Sequence, residues 1–126
     1  MQHNPIGWTE IYVQDMARAR KFYEAVLATR LEEHAVPPAM KMEMLFFPAQ
    51  MELPGSGGAL VKMEGVPSGM GGTLAYFVCD DCAVESGRVE AAGGKIFKPK
   101  FSIGEYGNCA LCHDSEGNLF GLHSMK

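Results

Sequence analysis

At 126 residues, with 47% apolar and 21% charged residues, the chain has the size and composition of one globular domain with a substantial core. Its net charge of −4, with lysines and arginines scattered along the sequence, predicts neither a nucleic-acid surface nor a membrane surface. No apolar run approaches the roughly 20 residues that span a bilayer, and the N-terminus lacks the pattern of a signal peptide, so we expect a cytoplasmic protein.

The first predicted elements are a strand and an amphipathic helix joined by an acidic cap. Trp8 to Val13 is a short apolar run typical of a strand. Asp15 follows it, and its carboxylate can accept the free backbone N–H groups of a first helical turn. Apolar residues then recur at helical spacing as far as Leu27, which predicts a helix over 16–27.

Three further strands are predicted in the first half of the chain. They cover 31–34, 40–47 and 59–63, with a break at the Pro37-Pro38 pair and a turn over 54–58. Alternate residues of the second of these strands share one face, and these are Met40, Met42, Met44 and Phe46. Such a stripe is typical of core packing and also of an adaptable binding wall, so both interpretations stay open.

The pattern of residues 8–28 recurs, faintly, 66 positions later in residues 74–94. A second apolar strand ends at Cys79, Asp81 stands where Asp15 stands in the first copy, a helix is predicted over 82–92, and a Gly-Gly pair ends that helix. Three strands follow as in the first half, and they cover 95–98, 108–113 and 119–124, with a turn at Asp114 to Asn118 before the last.

This repeat predicts an α+β fold built from two βαβββ modules. The modules cover 1–65 and 72–126, with a linker at 66–71, in a single domain of residues 1–126. We expect their strands to form a curled half-barrel sheet with the helices outside.

The four cysteines form two C-x-x-C pairs, which is a signal for a structural zinc site. Cys109 and Cys112 lie in a strand-like run, where residues three apart point to opposite faces. Cys79 ends a strand and Cys82 opens a helix, so this pair does not form a zinc knuckle either. The pattern favours buried, reduced cysteines that act as small apolar residues.

Three segments of the chain carry motifs of a known family. Glu10 to Tyr23 contains the pattern D-x-x-R-A-x-x-F-Y after a strand, Val89 to Gly94 ends a helix, and Asp114 to His123 contains a D-x-x-G-N turn before a final strand. Together they resemble the vicinal oxygen chelate superfamily, which includes glyoxalase I, extradiol dioxygenases and the bleomycin and fosfomycin resistance proteins. The first and last strands are similar to those of its glyoxalase-related subgroup. Ala28-Thr29 departs from the pattern, because the family usually has a glycine there.

The resemblance implies a cup that holds one divalent ion in the metal-dependent members of the family, through His, Glu or Gln side chains of the first and last strands. The corresponding positions in this chain are Trp8, Leu74, Gly121 and either Gly58 or Ala59. None of these side chains can coordinate a metal. We therefore expect the cup without the standard metal site, and no cofactor.

The walls of the cup follow from the two-residue period of a strand. Glu10 and Tyr12 share a face with Trp8, and the same rule places Tyr76 with Leu74 and His123 with Gly121. The candidate ligand-binding residues are Trp8, Tyr12, Met42, Met44, Leu74, Tyr76, Gly121 and His123. They suit a small aromatic or apolar ligand with one polar handle.

Glu10 is the candidate catalytic residue. A carboxylate in an apolar strand is costly to bury unless it is paired or protonated, and such a group suits a general acid or base. An edge position or an ion pair with a partner subunit would also explain it. Glu10 and His123 could together hold a metal in a non-standard way, although two ligands make a weak chelate.

Three functions therefore stay open. The first is a metal-free protein that binds a small molecule. The second is an enzyme of lactoylglutathione-lyase-like or dioxygenase-like type, with Glu10 as acid or base or with a non-standard metal. The third is a ligand-sensing module associated with a transcriptional regulator, the chain itself binding no nucleic acid. We expect a homodimer, because curved half-barrels commonly pair to cover their open edges.

Overall fold

The computed structural model describes residues 3–113 and 117–126, so the predicted turn residues Asp114, Ser115 and Glu116 lie outside it. Two α-helices and seven β-strands form in this part of the chain, which confirms the α+β class. They are β1 (Ile6–Tyr12), α1 (Met16–Leu27), β2 (Glu43–Phe46), β3 (Gly57–Lys62), β4 (Thr73–Val78), α2 (Cys82–Val89), β5 (Lys95–Ser102), β6 (Asn108–His113) and β7 (Leu119–Ser124). Neither helix is long and apolar enough to cross a membrane.

Both helices begin one residue after the aspartates of the repeat, Asp15 and Asp81. The Asp15 carboxylate accepts a hydrogen bond from the Arg18 backbone N–H at 3.0 Å, and the Asp81 carboxylate accepts one from the Ala83 N–H at 3.0 Å. The two caps satisfy donors that the first helical turns would otherwise leave free. The 66-residue repeat therefore sets the starts of both helices, as predicted from the sequence.

Residues 8–73 form one compact unit. Its strands follow the order β2-β3-β1, with β3 parallel to β1 and antiparallel to β2. Helix α1 packs on one face of this sheet, because apolar side chains of the helix and the sheet interlock there. The buried residues of this core are Val13, Leu31, Leu45 and Leu60, packed against Ile11, Met16, Ala19, Tyr23 and Phe47.

The second compact unit begins at Leu74 and also includes the residues before Trp8. Its strand order is β4-β7-β6-β5, with β4 parallel to β7 and the other neighbours antiparallel. Its core contains the buried residues Cys82, Ala110, Cys112 and Leu122, packed against Phe77, Cys79, Val89, Ile96 and Phe120. Helix α2 supplies Cys82 and Val89 to this core.

Two strands of the first unit are shorter than predicted. The strand expected over 31–34 is reduced to a single bridge between Glu32 and Phe46. The Leu31 N–H instead donates to the Glu24 carboxylate at 2.8 Å. The strand expected over 40–47 begins only at Glu43, because residues 38–40 form a 3-10 turn and Lys41 adopts a φ of 51°.

The four cysteines are free thiols, and three of them are buried. Cys112 packs against Cys82 of helix α2, whereas Cys109 pairs with His123 and lies on the opposite face of the sheet. Burial raises the pKa of the Cys112 thiol. Burial and the neighbouring Glu85 carboxylate raise the pKa of Cys79 to about 12. The Cys79 and Cys112 thiols therefore remain protonated at neutral pH, as expected of cysteines that act as small apolar residues.

Candidate functional site

The face of the first unit's sheet that points away from α1 carries the predicted site residues of β1. Residues paired across neighbouring strands place their side chains on the same face, and Ile11, Leu45 and Leu60 take the face towards α1. The alternate residues form the opposite face, which we call the helix-free face. Its members are Trp8, Glu10, Tyr12, Met44, Phe46, Gly57, Ala59 and Val61.

Glu10 is buried at the centre of a hydrogen-bonded group on this face. Its side chain accepts a hydrogen bond from the Tyr12 hydroxyl at 2.7 Å (Oε1) and one from the Trp8 indole N–H at 3.2 Å (Oε2). Only 5% of the residue is exposed. Burying a carboxylate is costly without such donors, and hydrogen bonds from an indole and a phenol offset part of that cost.

Tyr12 acts as a donor in this group and not as an anion. Burial raises the pKa of its hydroxyl, and the Glu10 carboxylate beside it raises that pKa further. The hydroxyl therefore keeps its proton at physiological pH and directs it at Glu10. The structure thus brings three of the sequence-predicted residues, Trp8, Glu10 and Tyr12, into one contact.

Two aromatic contacts involve side chains of the helix-free face. The Trp8 and Phe46 ring centroids are 6.0 Å apart with the planes tilted by 56°, and the His34 ring lies 5.0 Å from that of Phe46. Gly57 lies opposite Trp8, and a Cβ there would come within 2.9 Å of the indole ring. The glycine therefore leaves room for the indole to lie over β3.

The ring contact between Phe46 of this face and His34 joins two aromatic side chains that the sequence did not single out as binding residues. His34 is exposed, and its ring packs edge-on against Phe46. The signal was partly present, because Phe46 belongs to the alternating Met stripe. The contact with His34 depends on the bridge between Glu32 and Phe46, which sequence periodicity does not reveal.

Met42 and Met44 occupy different positions from those expected of one continuous strand face. Met44 pairs with Val61 and so belongs to the helix-free face, whereas Met42 precedes β2. Both are half-buried and border a surface groove of about 510 Å³ between β2 and α1. Met16 lines the same groove.

The second unit has its own aromatic ring over a glycine. Leu74 is buried, and Tyr76 is half-buried opposite Gly121 of β7. A Cβ at Gly121 would overlap the Tyr76 ring. The glycine is therefore required by the packing of the ring, and a larger side chain has no space at this position.

His123 also lies on the second unit's sheet, opposite Val78 of β4 and Cys109 of β6. Its Nε2 atom lies 2.6 Å from the Tyr106 carbonyl oxygen. Because a carbonyl only accepts, this contact places a proton on Nε2. His123 is thus an oriented, half-buried imidazole.

The metal positions implied by the family resemblance do not fit a metal ion. The sequence left Gly58 and Ala59 as alternatives for the last position of the first half. The 66-residue repeat makes Glu10 equivalent to Tyr76. Because Glu10 pairs with Ala59 and Tyr76 pairs with Gly121, Ala59 is the residue that corresponds to Gly121. An indole, two aliphatic or methyl side chains and a glycine therefore stand at the four positions, and none offers a donor. Across residues 3–113 and 117–126, no three His, Cys, Asp or Glu side chains converge as a metal site would require.

Comparisons with known proteins agree with the motifs. The family model of the Glyoxalase/Bleomycin resistance protein/Dioxygenase superfamily matches residues 5–122. A glyoxylase-like domain-containing protein of Didymella fabae is 30% identical over 123 residues, which cover 95% of this chain and 93% of that protein. CFP32 of Mycobacterium bovis, which its name assigns provisionally to the glyoxylases, is 25% identical over 119 residues. These cover 92% of this chain, but the chain spans only 44% of the length of CFP32.

Solved structures show the same fold. The hypothetical protein BH1468 from Bacillus halodurans has a TM-score of 0.70 at 15% identity, with 96% of this chain and 94% of that chain covered. Methylmalonyl-CoA epimerase from Mycobacterium tuberculosis has a TM-score of 0.68 at 13% identity, with 97% and 88% covered. At these identities the likeness establishes the fold and leaves the chemistry of the site open.

Proposed function

The chain belongs to the glyoxalase/bleomycin resistance protein/dioxygenase superfamily, and from that membership we propose that it binds a small aromatic or apolar molecule without the divalent ion used by metal-dependent relatives. The proposed contact residues are the same eight as in the sequence prediction. They are Trp8, Tyr12, Met42 and Met44 in the first unit and Leu74, Tyr76, Gly121 and His123 in the second.

The observation that carries this proposal is the composition of the helix-free face around Glu10. Half-buried aromatic and thioether side chains, Trp8, Phe46 and Met44, surround a single carboxylate held by two donors. Small-molecule sites are typically apolar surfaces with a few fixed polar groups that orient the ligand. This face has that composition.

The metal-free part of the proposal rests on the donor chemistry of the four family positions. Replacing a ligand by Trp8 or Leu74 removes the lone pair that a metal needs, and Gly121 cannot be enlarged without displacing the Tyr76 ring. Glu10 is the carboxylate of β1, two residues after the family position at Trp8. Its oxygens already accept hydrogen bonds from Trp8 and Tyr12.

An enzyme of lactoylglutathione-lyase-like or dioxygenase-like type is the second candidate function, and one observation favours it. Glu10 and Tyr12 form a short hydrogen bond in a buried setting, as an acid–base pair would. In that case the Glu10 carboxyl group would exchange a proton with a bound substrate, and the Tyr12 hydroxyl would hold that carboxyl group in position. The epimerase structures share the fold at less than 25% identity, so they do not indicate the substrate.

Trp8 is the only tryptophan of the chain, so its fluorescence reports directly on the proposed site. Titration with benzyl alcohol and with cyclohexanol, neither of which emits in the range of tryptophan, should change the emission of Trp8 in a saturable way. Saturable binding that survives in Glu10→Gln supports a binding protein, whereas loss of turnover with retained binding would indicate the enzyme. A folded protein whose emission responds to neither probe would contradict the proposed ligand class.

Metal analysis tests the metal-free part independently. After dialysis, we expect much less than one divalent ion per chain by inductively coupled plasma mass spectrometry. One tightly held ion per chain would overturn this part of the proposal and support a non-standard metal site. We further propose that the protein is a cytoplasmic homodimer, and light scattering on the eluting protein should give twice the chain mass of 13.7 kDa.

A further inference from the structure

We propose that the protein pairs with a second copy of itself through a groove beside α1, with Phe22 of each copy seated in the groove of the other. This inference rests on the homodimer of the proposed function and assigns its interface to one surface. It follows from an exposed aromatic ring at the groove, from the fixed walls of the groove and from two charged side chains of opposite sign that line it.

The groove lies within the unit of residues 8–73, between α1 and the segment 68–73. It has a volume of about 510 Å³, and Ile11 at the end of β1 is part of its apolar lining. The Tyr12 N–H donates to the Gly72 carbonyl at 2.7 Å, which ties the segment 68–73 to β1. The wall opposite α1 is therefore held in place, and the groove exists before any partner binds.

Phe22 is a large apolar side chain that the fold leaves in solvent at the groove. The residue is 57% exposed and lines the groove from α1. Its ring contacts that of Tyr23 edge-on, with the centroids 5.1 Å apart and the planes at 89°, so its position is supported by a neighbour. Aromatic side chains of this kind are typical anchors of protein interfaces, because they bury a large apolar area with few rotatable bonds.

Two charged side chains of opposite sign, Asp15 and Arg18, line the same groove one helical turn apart. The Asp15 Oδ1 atom accepts the Arg18 backbone N–H at 3.0 Å. Across residues 3–113 and 117–126, however, the Arg18 guanidinium makes no ion pair or hydrogen bond of its own. A surface that pairs with its own copy must be complementary to itself, and a neighbouring positive and negative charge meet that condition. The charges of the groove therefore favour a second copy over a partner of one sign.

The spacing of these residues fits an antiparallel pair of α1 helices around a twofold axis. With the axis between Asp15 and Arg18, each guanidinium faces Asp15 of the partner subunit. A helix rises about 1.5 Å per residue, so Phe22 lies about 8 Å from the axis along the helix. The same distance along the partner's helix leads past its first residue, to the end of the groove that precedes α1. Phe22 of each copy therefore enters the partner's groove while the charges pair.

The test measures the dissociation constant of the dimer by sedimentation equilibrium, with light scattering on the eluting protein as a second readout. Wild type should give twice the chain mass of 13.7 kDa. Phe22→Ser should raise the dissociation constant at least about a hundredfold, because each dimer loses two buried rings. Leu27→Ser is the matched control, because Leu27 belongs to the same helix, is 53% exposed and lies outside the groove lining. It should leave the dissociation constant within about threefold of wild type.

A charge reversal tests the two ion pairs separately. Arg18→Glu places a like charge opposite Asp15 of the partner subunit, so it should raise the dissociation constant at least about tenfold at low ionic strength and less at high ionic strength. Arg88→Glu is the control, because it changes the net charge equally at an exposed position of α2, outside the groove. Circular dichroism of each variant verifies folding, and the exposure of Phe22 and Arg18 leaves the core intact.

The outcomes separate this interface from the homodimer and from ligand binding. A dimer of unchanged affinity in Phe22→Ser would overturn the interface and leave the homodimer standing. Equal weakening by Phe22→Ser and Leu27→Ser would overturn the interface as well. A monomeric wild type would overturn both the interface and the homodimer, and the titrations with benzyl alcohol and cyclohexanol would still decide the proposed binding of small molecules.

Discussion

The ring of Tyr76 lies directly against the backbone of Gly121, the residue opposite it on β7, and fills the space that a side chain there would need. Trp8 covers Gly57 in the first unit in a similar way. An aromatic side chain that covers a cross-strand glycine protects the exposed glycine backbone of a sheet. Packing therefore keeps Gly121 small at a position where the family resemblance implies a metal ligand.

Gly121→Ala should destabilise the protein, because its methyl group would overlap the Tyr76 ring. We expect a loss of about 1–3 kcal/mol in the free energy of unfolding, as for other overpacked sites. Urea denaturation followed by circular dichroism measures this change. Gly87→Ala is the control, since a Cβ at Gly87 meets nothing within 4 Å and the residue lies in α2. It should stabilise by about 0.5–1 kcal/mol, and equal effects of the two substitutions would refute the packing argument.

Ala28→Gly should stabilise the protein. Ala28 ends α1 in the left-handed conformation, with φ 51° and ψ 47°, which costs a residue with a Cβ about 1 kcal/mol. The family usually has a glycine here, so the substitution restores the expected helix end. We expect a gain of about 0.5–1 kcal/mol in the free energy of unfolding. Ala17→Gly, at an exposed position inside the same helix, should instead cost about 1 kcal/mol. A loss of stability in Ala28→Gly would contradict this interpretation.

The sequence predicts features that depend on local chemistry. Asp15 could be identified as a cap because capping needs only a short polar side chain before a helical pattern, and the repeat places Asp81 at the corresponding position. The shared face of Trp8, Glu10 and Tyr12 follows in the same way from the two-residue period of a strand. The same period predicts that the Cys109 and Cys112 side chains lie on opposite faces of the sheet.

Features that depend on distant contacts could not be predicted from the sequence. The strand expected over 31–34 is reduced to one bridge because the Glu24 carboxylate takes the Leu31 N–H. The donors that hold Glu10 depend on side-chain torsions, which period alone does not determine. The sequence shows that Gly121 has no side chain to coordinate a metal. Only the structure shows that the Tyr76 ring occupies the space that a side chain at this position would need.

Tyr12→Phe should destabilise the protein by about 1.5–3 kcal/mol, because it removes a hydrogen-bond donor from the buried Glu10 carboxyl group. The ring remains, so packing changes little. Chemical denaturation at pH 7.5 measures the effect. Tyr106→Phe is the matched control, since that side chain is 42% exposed, and we expect a change of less than about 0.5 kcal/mol. A similar small change in Tyr12→Phe would mean that the hydrogen bond to Glu10 contributes little to stability.

The stability of the protein should fall in alkaline solution partly through Tyr12. Burial and the Glu10 carboxylate raise the pKa of Tyr12 in the folded state well above its unfolded value of about 10. Above that pH the unfolded chain loses the Tyr12 proton while the folded chain retains it, so the unfolded state is favoured as the pH rises. The contribution of Tyr12 to stability is fully present below pH 10, and it declines by up to about 1.4 kcal/mol for each pH unit above it.

Unfolding free energies of wild type and Tyr12→Phe from pH 8 to 11.5 isolate the contribution of Tyr12, because the titration of Cys79 and of other groups is common to both proteins. The stability difference between the two proteins should be constant below about pH 9.5 and shrink above it, whereas a constant difference across the whole range would show that Tyr12 ionises equally in both states.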